Sequence, residues 1–169
     1  MSERETAAKR PVSALLTGPY GHPFHPVLVT IPIGCWVGSF VFDLGSRAAH
    51  DASYLVKSSI WLIVIGIVGA LAAATVGLLD FFTIPSGTPA FRTGLTHLVL
   101  NVAITVAYAG NALWRDGGDE QVAIGPIVLS AVSLGALMVS GFLGGKLAFR
   151  YGVRVAEEHD QAEGFEPRS

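Results

Sequence analysis

The sequence predicts an all-α protein, a bundle of four transmembrane helices with the N- and C-termini on the cytoplasmic side. The first observation is composition, since 51% of the 169 residues are hydrophobic and only 14% are charged. A soluble domain has about a quarter charged residues. The second is a mean hydropathy of +0.53. The third is pattern, because the apolar residues fall into four runs near the roughly 20 residues that cross a bilayer as a helix.

The apolar runs define the predicted spans, which cover residues 27–44, 60–79, 96–114 and 124–147. Residues 45–59 are predicted to form a polar connection between the first two spans. Pro32 should bend the first span, because a proline inside a helix cannot donate the usual backbone hydrogen bond. The last helix is expected to continue through Arg154.

One membrane domain, residues 21–156, is predicted between a polar arm of residues 1–20 and an acidic, disordered tail of residues 157–169. Orientation follows from Lys and Arg, which are enriched on the cytoplasmic side of membrane proteins. An even number of spans places both termini on one side of the membrane. That side holds eight Lys and Arg residues, and the other side holds three. Both termini are therefore expected in the cytoplasm.

Small residues recur at four-residue spacing along the spans, as Gly34/Gly38, Gly66/Ala70/Ala74, Ala73/Gly77 and Gly141/Gly145. In lipid such stripes let helix backbones approach closely, because packing rather than water exclusion holds membrane helices together. The stripes predict a tight bundle. They leave open whether each one faces a helix of the same chain or a second copy in a homo-oligomer.

Polar residues gather at one end of the predicted bundle. His22 and His25 precede the first span, Asp80 follows the second, and His97 begins the third with Asn101 one turn further on. The topology places these residues at one membrane depth. Polar side chains at that depth usually face the bundle interior and pair with one another or with a ligand.

The two halves of the chain share a short similarity, His25-Pro26-Val27-Leu28 against His97-Leu98-Val99-Leu100. A parallel repeat of two spans would explain it. His25 and His97 would then occupy equivalent positions and face each other across the bundle.

Two kinds of cofactor site fit this group of residues. A transition-metal ion would be bound by imidazoles and a carboxylate, from His22, His25, Asp80 and His97. A haem b would take His25 and His97 as axial ligands, with Asn101 beside them. Either site predicts an accessory redox subunit with a cytoplasmic redox partner. The alternative is a structural or partner-binding membrane module, in which the same cluster only fixes helix register.

Other classes of function have less support. No serine or cysteine nucleophile lies in a motif beside these histidines, so no catalytic residue is predicted and the chain is not expected to be an enzyme on its own. A net charge of −2 gives no reason to expect nucleic acid as a partner. A proton path is not predicted, because the opposite half of the spans offers few polar residues. Asp43, in that half, is expected to pair with Arg47 one turn on.

Several short motifs spread over residues 17–156 resemble those of a bacterial membrane family called domain of unknown function 2231. They are Gly21-His22-Pro23-x-His25-Pro26, Pro32-Ile33-Gly34 in a span ending in Asp43, Gly77-Leu78-x-Asp80, His97-x3-Asn101 and Gly144-Gly145-x-Leu147-x3-Tyr151-Gly152-Val153. The resemblance implies a multi-pass protein of the bacterial plasma membrane. Longer relatives sometimes carry a Rieske-type iron–sulfur domain, which suggests redox work without assigning a reaction.

Overall fold

The computed structural model describes residues 8–10, 21–158, 161 and 165, and in this part of the chain the regular structure is helical. The helices are α1 (His25–Leu28), α2 (Thr30–Ala48), α3 (Ser53–Phe82), α4 (Pro89–Trp114) and α5 (Ile124–Phe149). Taking α1 and α2 as one span of 24 residues, four helices are long and apolar enough to cross a membrane. The prediction of an all-α, four-span protein is thus confirmed.

The helices extend beyond the apolar runs that predicted them, because hydropathy marks the lipid-facing length and not the ends that continue into the interface. The predicted polar connection over residues 45–59 is therefore wrong at both edges, since α2 continues to Ala48 and α3 begins at Ser53. The last helix also stops earlier than expected. It ends at Phe149, and Gly152 and Arg154 beyond it have positive φ angles of 67° and 59°.

The predicted N-terminal arm and acidic tail lie mostly outside the described residues. Of the arm, residues 8–10 are described, and the Ala8 carbonyl accepts a hydrogen bond from the Arg154 amide at 3.1 Å. Ala8 is buried by this contact with the far end of the chain.

The first span is interrupted at Val29, one turn before Pro32. Proline has no N–H, so the carbonyl four residues earlier, that of Leu28, loses its helical donor. The chain resumes helical bonding at once, because the Ile33 amide donates to the Val29 carbonyl at 3.3 Å. Pro32 thus divides the span into α1 and α2 and sets the position of α1, which carries His25.

The spans pack as two helical pairs, α2 with α3 and α4 with α5. Helix α3 also contacts α4 and α2 contacts α5, which closes the bundle. The buried apolar cluster at its centre consists of Trp36, Ile63, Ile104 and Tyr108. The rings of Trp36 and Tyr108 stack with centroids 4.2 Å apart and planes 12° apart, which joins the first span to the third.

Much of the interior is polar, and much of the exterior is apolar. The fully buried side chains include Ser39, Asp43, Ser59, Asn111 and Ser130, whereas large apolar residues such as Val68, Val106 and Val132 are exposed on the outside of the bundle. Lipid tails solvate apolar side chains but offer no hydrogen bonds. The distribution of polarity therefore fits a bilayer environment.

Glycines bring the helices close at two buried contacts. A side chain at Gly66 would overlap the Trp36 indole, and one at Gly77 would come within 2.8 Å of the His25 ring. Gly34 and Gly141, by contrast, have no atoms within 4 Å of an added Cβ. The stripes through Gly66 and Gly77 thus face helices of the same chain.

We expect Gly66→Ala to destabilise the protein by about 1–3 kcal/mol, because an added methyl forces the Trp36 ring out of its stack. The matched control is Gly110→Ala, where the new methyl meets nothing within 4 Å and helix propensity favours alanine by up to about 1 kcal/mol. Thermal unfolding in detergent, followed by tryptophan fluorescence, measures both. Equal stability of the two variants would contradict this packing.

Candidate functional site

Two polar clusters lie at opposite ends of the bundle. The histidine end consists of His25, Asp80, His97, Asn101 and Arg154. The ion-pair cluster consists of Asp43, Ser59, Asn111, Arg115 and Ser130. His25 and Asp43 are 18 residues apart on the first span, which corresponds to roughly 27 Å of helix at 1.5 Å per residue. The Trp36–Tyr108 stack lies between the two clusters.

His25 reaches across from α1 to α3. Its Nδ1 lies 2.9 Å from the carbonyl oxygen of Ala73, and its ring fills the space that the absent side chain of Gly77 leaves. A carbonyl only accepts hydrogen bonds, so Nδ1 carries the proton in this contact. In the neutral ring, Nε2 then holds the lone pair, and the structure gives that atom no hydrogen bond among the described residues.

His97 makes the equivalent contacts from α4 to α5. Its Nδ1 donates to the Ser140 carbonyl at 2.8 Å, and its ring lies 3.3 Å from a Cβ built on Gly144. The Ser140 hydroxyl also lies 3.0 Å from Nδ1. The same tautomer follows as for His25, with the lone pair on Nε2.

Asn101 packs beside His97, one turn along α4. Its Nδ2 lies 2.8 Å from the His97 carbonyl, 2.7 Å from the Ser140 hydroxyl and 3.2 Å from His97 Nε2. An amide nitrogen has two N–H groups, and the two shorter contacts account for both. The lone pair of His97 Nε2 is therefore only weakly engaged.

The two imidazoles contact each other nearly perpendicularly, with ring centroids 6.3 Å apart and planes at 79°. They are anchored in the same way. Each donates through Nδ1 to a carbonyl of the next helix and packs against the glycine that lies four residues after that carbonyl. The structure thus brings His25 and His97 together, as the similarity between the halves led us to expect.

Asp80 has a different partner. Its Oδ1 lies 2.9 Å from Nε of Arg154, although it remains within electrostatic range of His25. His22 is half-buried and makes a contact of its own. Within the described residues no three His, Cys, Asp or Glu side chains are grouped so as to hold a metal ion. The predicted metal site of His22, His25, Asp80 and His97 is therefore not assembled in this arrangement.

Three pairs of residues relate the halves of the chain by the same spacing. His25 and His97, Trp36 and Tyr108, and Asp43 and Arg115 are each 72 residues apart, and the members of each pair contact each other. The pairs follow one another along the first and third spans. These three equal spacings are those expected of a parallel repeat of two spans.

The ion-pair cluster corrects the expected partner of Asp43. Asp43 is fully buried, and Oδ2 accepts from Nη2 of Arg115 at 2.7 Å while Oδ1 accepts from Nη1. Arg47 instead donates to the Val122 carbonyl at 3.3 Å. The prediction was wrong because the Arg115 guanidinium takes both oxygens of Asp43, whereas Arg47, in the last turn of α2, donates to the connection that precedes α5.

Arg115 uses all of its donors. Besides the carboxylate, Nε donates to Asn111 Oδ1 at 2.7 Å, Nη1 to Ser59 Oγ at 2.8 Å and Nη2 to Ser130 Oγ at 3.3 Å. A guanidinium has five N–H groups, and five acceptors surround this one. A saturated, neutralised pair of this kind joins four spans and leaves no group for a ligand.

Sequence reasoning missed this cluster because Arg115 lies just after an apolar run, where a charge normally faces the interface. The signal was present in the 72-residue spacing that relates Arg115 to Asp43, as it relates His97 to His25. An acidic residue and a basic residue at equivalent positions of a repeat are expected to meet on its axis.

We expect Asp43→Asn and Arg115→Gln each to destabilise the protein by about 3–5 kcal/mol, because each leaves a buried charge without its partner. The double variant should lose less stability than the two single losses added together, and the difference should be at least about 1 kcal/mol. Chemical unfolding in detergent micelles measures the stability of the wild type, the two single variants and the double variant.

Arg47→Gln is the matched control, since Arg47 lies one turn from Asp43 and is exposed. It should change stability by no more than about 1 kcal/mol. A loss equal to that of Arg115→Gln would assign the wrong partner to Asp43.

The comparison with protein families gives one match. Residues 21–157 match the family described as predicted membrane protein, DUF2231, which is the family that the motifs resemble. Neither the curated proteins nor the solved structures gave a match. The matched region includes all four spans, the paired histidines and the ion-pair cluster. On this match the chain belongs to the DUF2231 family of predicted membrane proteins.

Proposed function

We propose that the protein is an accessory redox subunit that binds one haem b or one transition-metal ion between His25 and His97. The observation that carries the proposal is the 6.3 Å separation of the two imidazoles. Two imidazoles on opposite sides of one metal ion have ring centres roughly 6 Å apart, since each metal–nitrogen bond is about 2 Å and each nitrogen lies about one bond length from its ring centre.

The protonation pattern supports the proposal. Histidines that bind a metal through one ring nitrogen almost always donate the other N–H to a carbonyl, carboxylate or water, which fixes the tautomer and orients the ring. His25 and His97 both donate through Nδ1 to a carbonyl of the neighbouring helix. Their Nε2 lone pairs remain for a ligand, and Asn101 would orient His97 from the side.

The number of donors favours haem over a bare ion. A haem supplies four equatorial nitrogens itself and needs only two axial ligands from the protein. A bare ion would require His22 or Asp80 to join the histidines, and Asp80 is engaged by Arg154. When bound, a haem with two histidine ligands supplies reversible one-electron transfer.

One cofactor at one end of the bundle implies a partner at that end. In the part of the chain that the structure describes, the opposite end holds no second pair of histidines, and the Trp36–Tyr108 stack and the ion-pair cluster fill the interior there. Electrons would therefore enter and leave on the side of the histidines. A redox protein docking on that side is the expected partner.

A second function for the same residues is structural. His25 and His97 each join two helices through a carbonyl, and such bonds average under about 1 kcal/mol between membrane helices but fix register. In this alternative the module only supports a partner protein. The two functions differ in whether anything occupies the space between the Nε2 atoms.

We expect the protein, purified in detergent from cells supplied with a haem precursor, to show the absorption spectrum of a haem with two histidine ligands or to contain one equivalent of metal. His25→Ala and His97→Ala should each lower the bound cofactor at least about tenfold, since each removes a direct ligand. The control is His50→Ala, in an exposed connection, which should retain it.

A folded, colourless and metal-free wild-type protein that also fails to bind added hemin would exclude the cofactor. Only the structural function would then remain. Circular dichroism and size-exclusion chromatography establish that each preparation is folded.

We also propose that the histidine end faces the cytoplasm of a bacterium whose plasma membrane holds the protein. The excess of Lys and Arg on the side of the termini supports this orientation. A fluorescent protein fused after Ser169 should then fluoresce in cells, and alkaline phosphatase fused at the same point should be inactive. Active phosphatase would reverse the orientation.

A further inference from the structure

Arg154 is a buried arginine whose Nε has no hydrogen-bond partner among the described residues. Its side chain is only 8% exposed. Its Nε lies 2.9 Å from Asp80 Oδ1, yet it makes no hydrogen bond of acceptable direction. Among the described residues, the one hydrogen bond from its side chain is a long one, 3.5 Å from Nη1 to the Lys9 carbonyl. Burying an arginine in this state is unfavourable unless another acceptor completes its coordination.

The two buried arginines of the bundle show the difference. Arg115 has five acceptors for five N–H groups, including both oxygens of Asp43. Arg154 has one carboxylate oxygen placed off the direction of its N–H and one distant carbonyl. The acceptors around Arg115 are complete, as expected of a residue that only stabilises the fold. The acceptors around Arg154 are incomplete, as expected of a residue that binds a ligand.

The chain end holds the Arg154 backbone firmly. Its amide donates to the Ala8 carbonyl at 3.1 Å, and the Lys9 side chain packs on Gly152, with Nζ 3.9 Å from a Cβ built there. Lys9 therefore contacts the backbone two residues before Arg154. Both are at the end of the bundle where the spans leave the lipid.

We propose that Arg154, assisted by Lys9, binds an anionic oxygen group, a carboxylate or a phosphate, carried by a molecule that resides in the membrane. A guanidinium presents parallel N–H groups that match two oxygens of such an anion. Asp80 occupies one side of the guanidinium and leaves the rest to the ligand. The site is thus built for an anion that shares Arg154 with Asp80.

Two molecules carry this chemistry to the site. One is the proposed haem, which carries carboxylates and would bind near Arg154, because Asp80 pairs with Arg154 and lies one turn along α3 from Gly77, which the His25 ring contacts. This source rests on the proposed function. The other is an anionic phospholipid, whose phosphate lies at the membrane surface whether or not a cofactor is bound.

The test uses the full chain, purified in detergent and stripped of lipid, with two probes. Hemin is titrated by absorption, and phosphatidylglycerol is titrated by thermal shift against phosphatidylcholine. Arg154→Gln should weaken binding of one anionic probe about tenfold or more, the loss of at least one charge-assisted hydrogen bond. The matched control is Arg150→Gln, an exposed arginine four residues earlier, which should change affinity less than about twofold.

Asp80→Asn gives a result of opposite sign. Removing the competing carboxylate leaves Arg154 free for the ligand, so affinity for the anionic probe should rise. If Arg154 and Asp80 were only a structural pair, the same variant would lower stability and leave affinity unchanged. Arg154→Lys, which keeps the charge but not the paired N–H groups, serves where Arg154→Gln does not fold.

The outcomes separate the sources. Weaker hemin binding with unchanged phosphatidylglycerol binding assigns the site to the haem carboxylates. Weaker phosphatidylglycerol binding assigns it to lipid, and this result stands even if the wild-type protein binds no hemin and the proposed function fails. Equal behaviour of Arg154→Gln and Arg150→Gln towards both probes overturns the anion site, as does a wild-type protein that binds neither.

Discussion

The buried ion pair between Asp43 and Arg115 is the constraint on which the rest of the bundle depends. A charge within a membrane protein must find its partner inside the protein, because lipid offers none. This requirement fixes the first span against the third in rotation and in register. With that register set, residues 72 apart meet along the whole interface, which stacks Trp36 on Tyr108 and brings His25 into contact with His97.

The two ends of the bundle differ in how completely their polar groups are used. Every N–H of Arg115 has an acceptor, and the neighbouring serines and Asn111 complete the network, although the buried Tyr108 hydroxyl has no hydrogen-bond partner among the described residues. At the histidine end, by contrast, Nε2 of His25 and Nε of Arg154 have no hydrogen bond among the described residues, and Nε2 of His97 has only a 3.2 Å contact with Asn101. In low-dielectric surroundings an unused polar group is costly unless a ligand completes its hydrogen bonds. This contrast in saturation motivates both proposals.

The packing of the bundle serves the histidine end. Gly77 and Gly144 leave the space that each imidazole occupies beside a neighbouring helix, and the carbonyls of Ala73 and Ser140, one turn earlier, hold each ring through Nδ1. Each half therefore supplies the same three elements, a histidine, a carbonyl and a glycine. The two histidines are therefore held in the same way, and they contact each other at that end of the bundle.

Hydropathy and the run lengths determined the four spans from the sequence by itself, because an apolar run near 20 residues has one stable solution in a bilayer. The same pattern gave the gathering of His25, His97 and Asn101 at one end, since chain direction alternates from span to span. The partner of Asp43, the role of Arg115 and the engagement of Asp80 by Arg154 were decided only by the tertiary structure. Sequence spacing fixes how deep a residue lies, but the rotation of each helix about its own axis fixes what it faces, and that rotation is set by packing against the other spans.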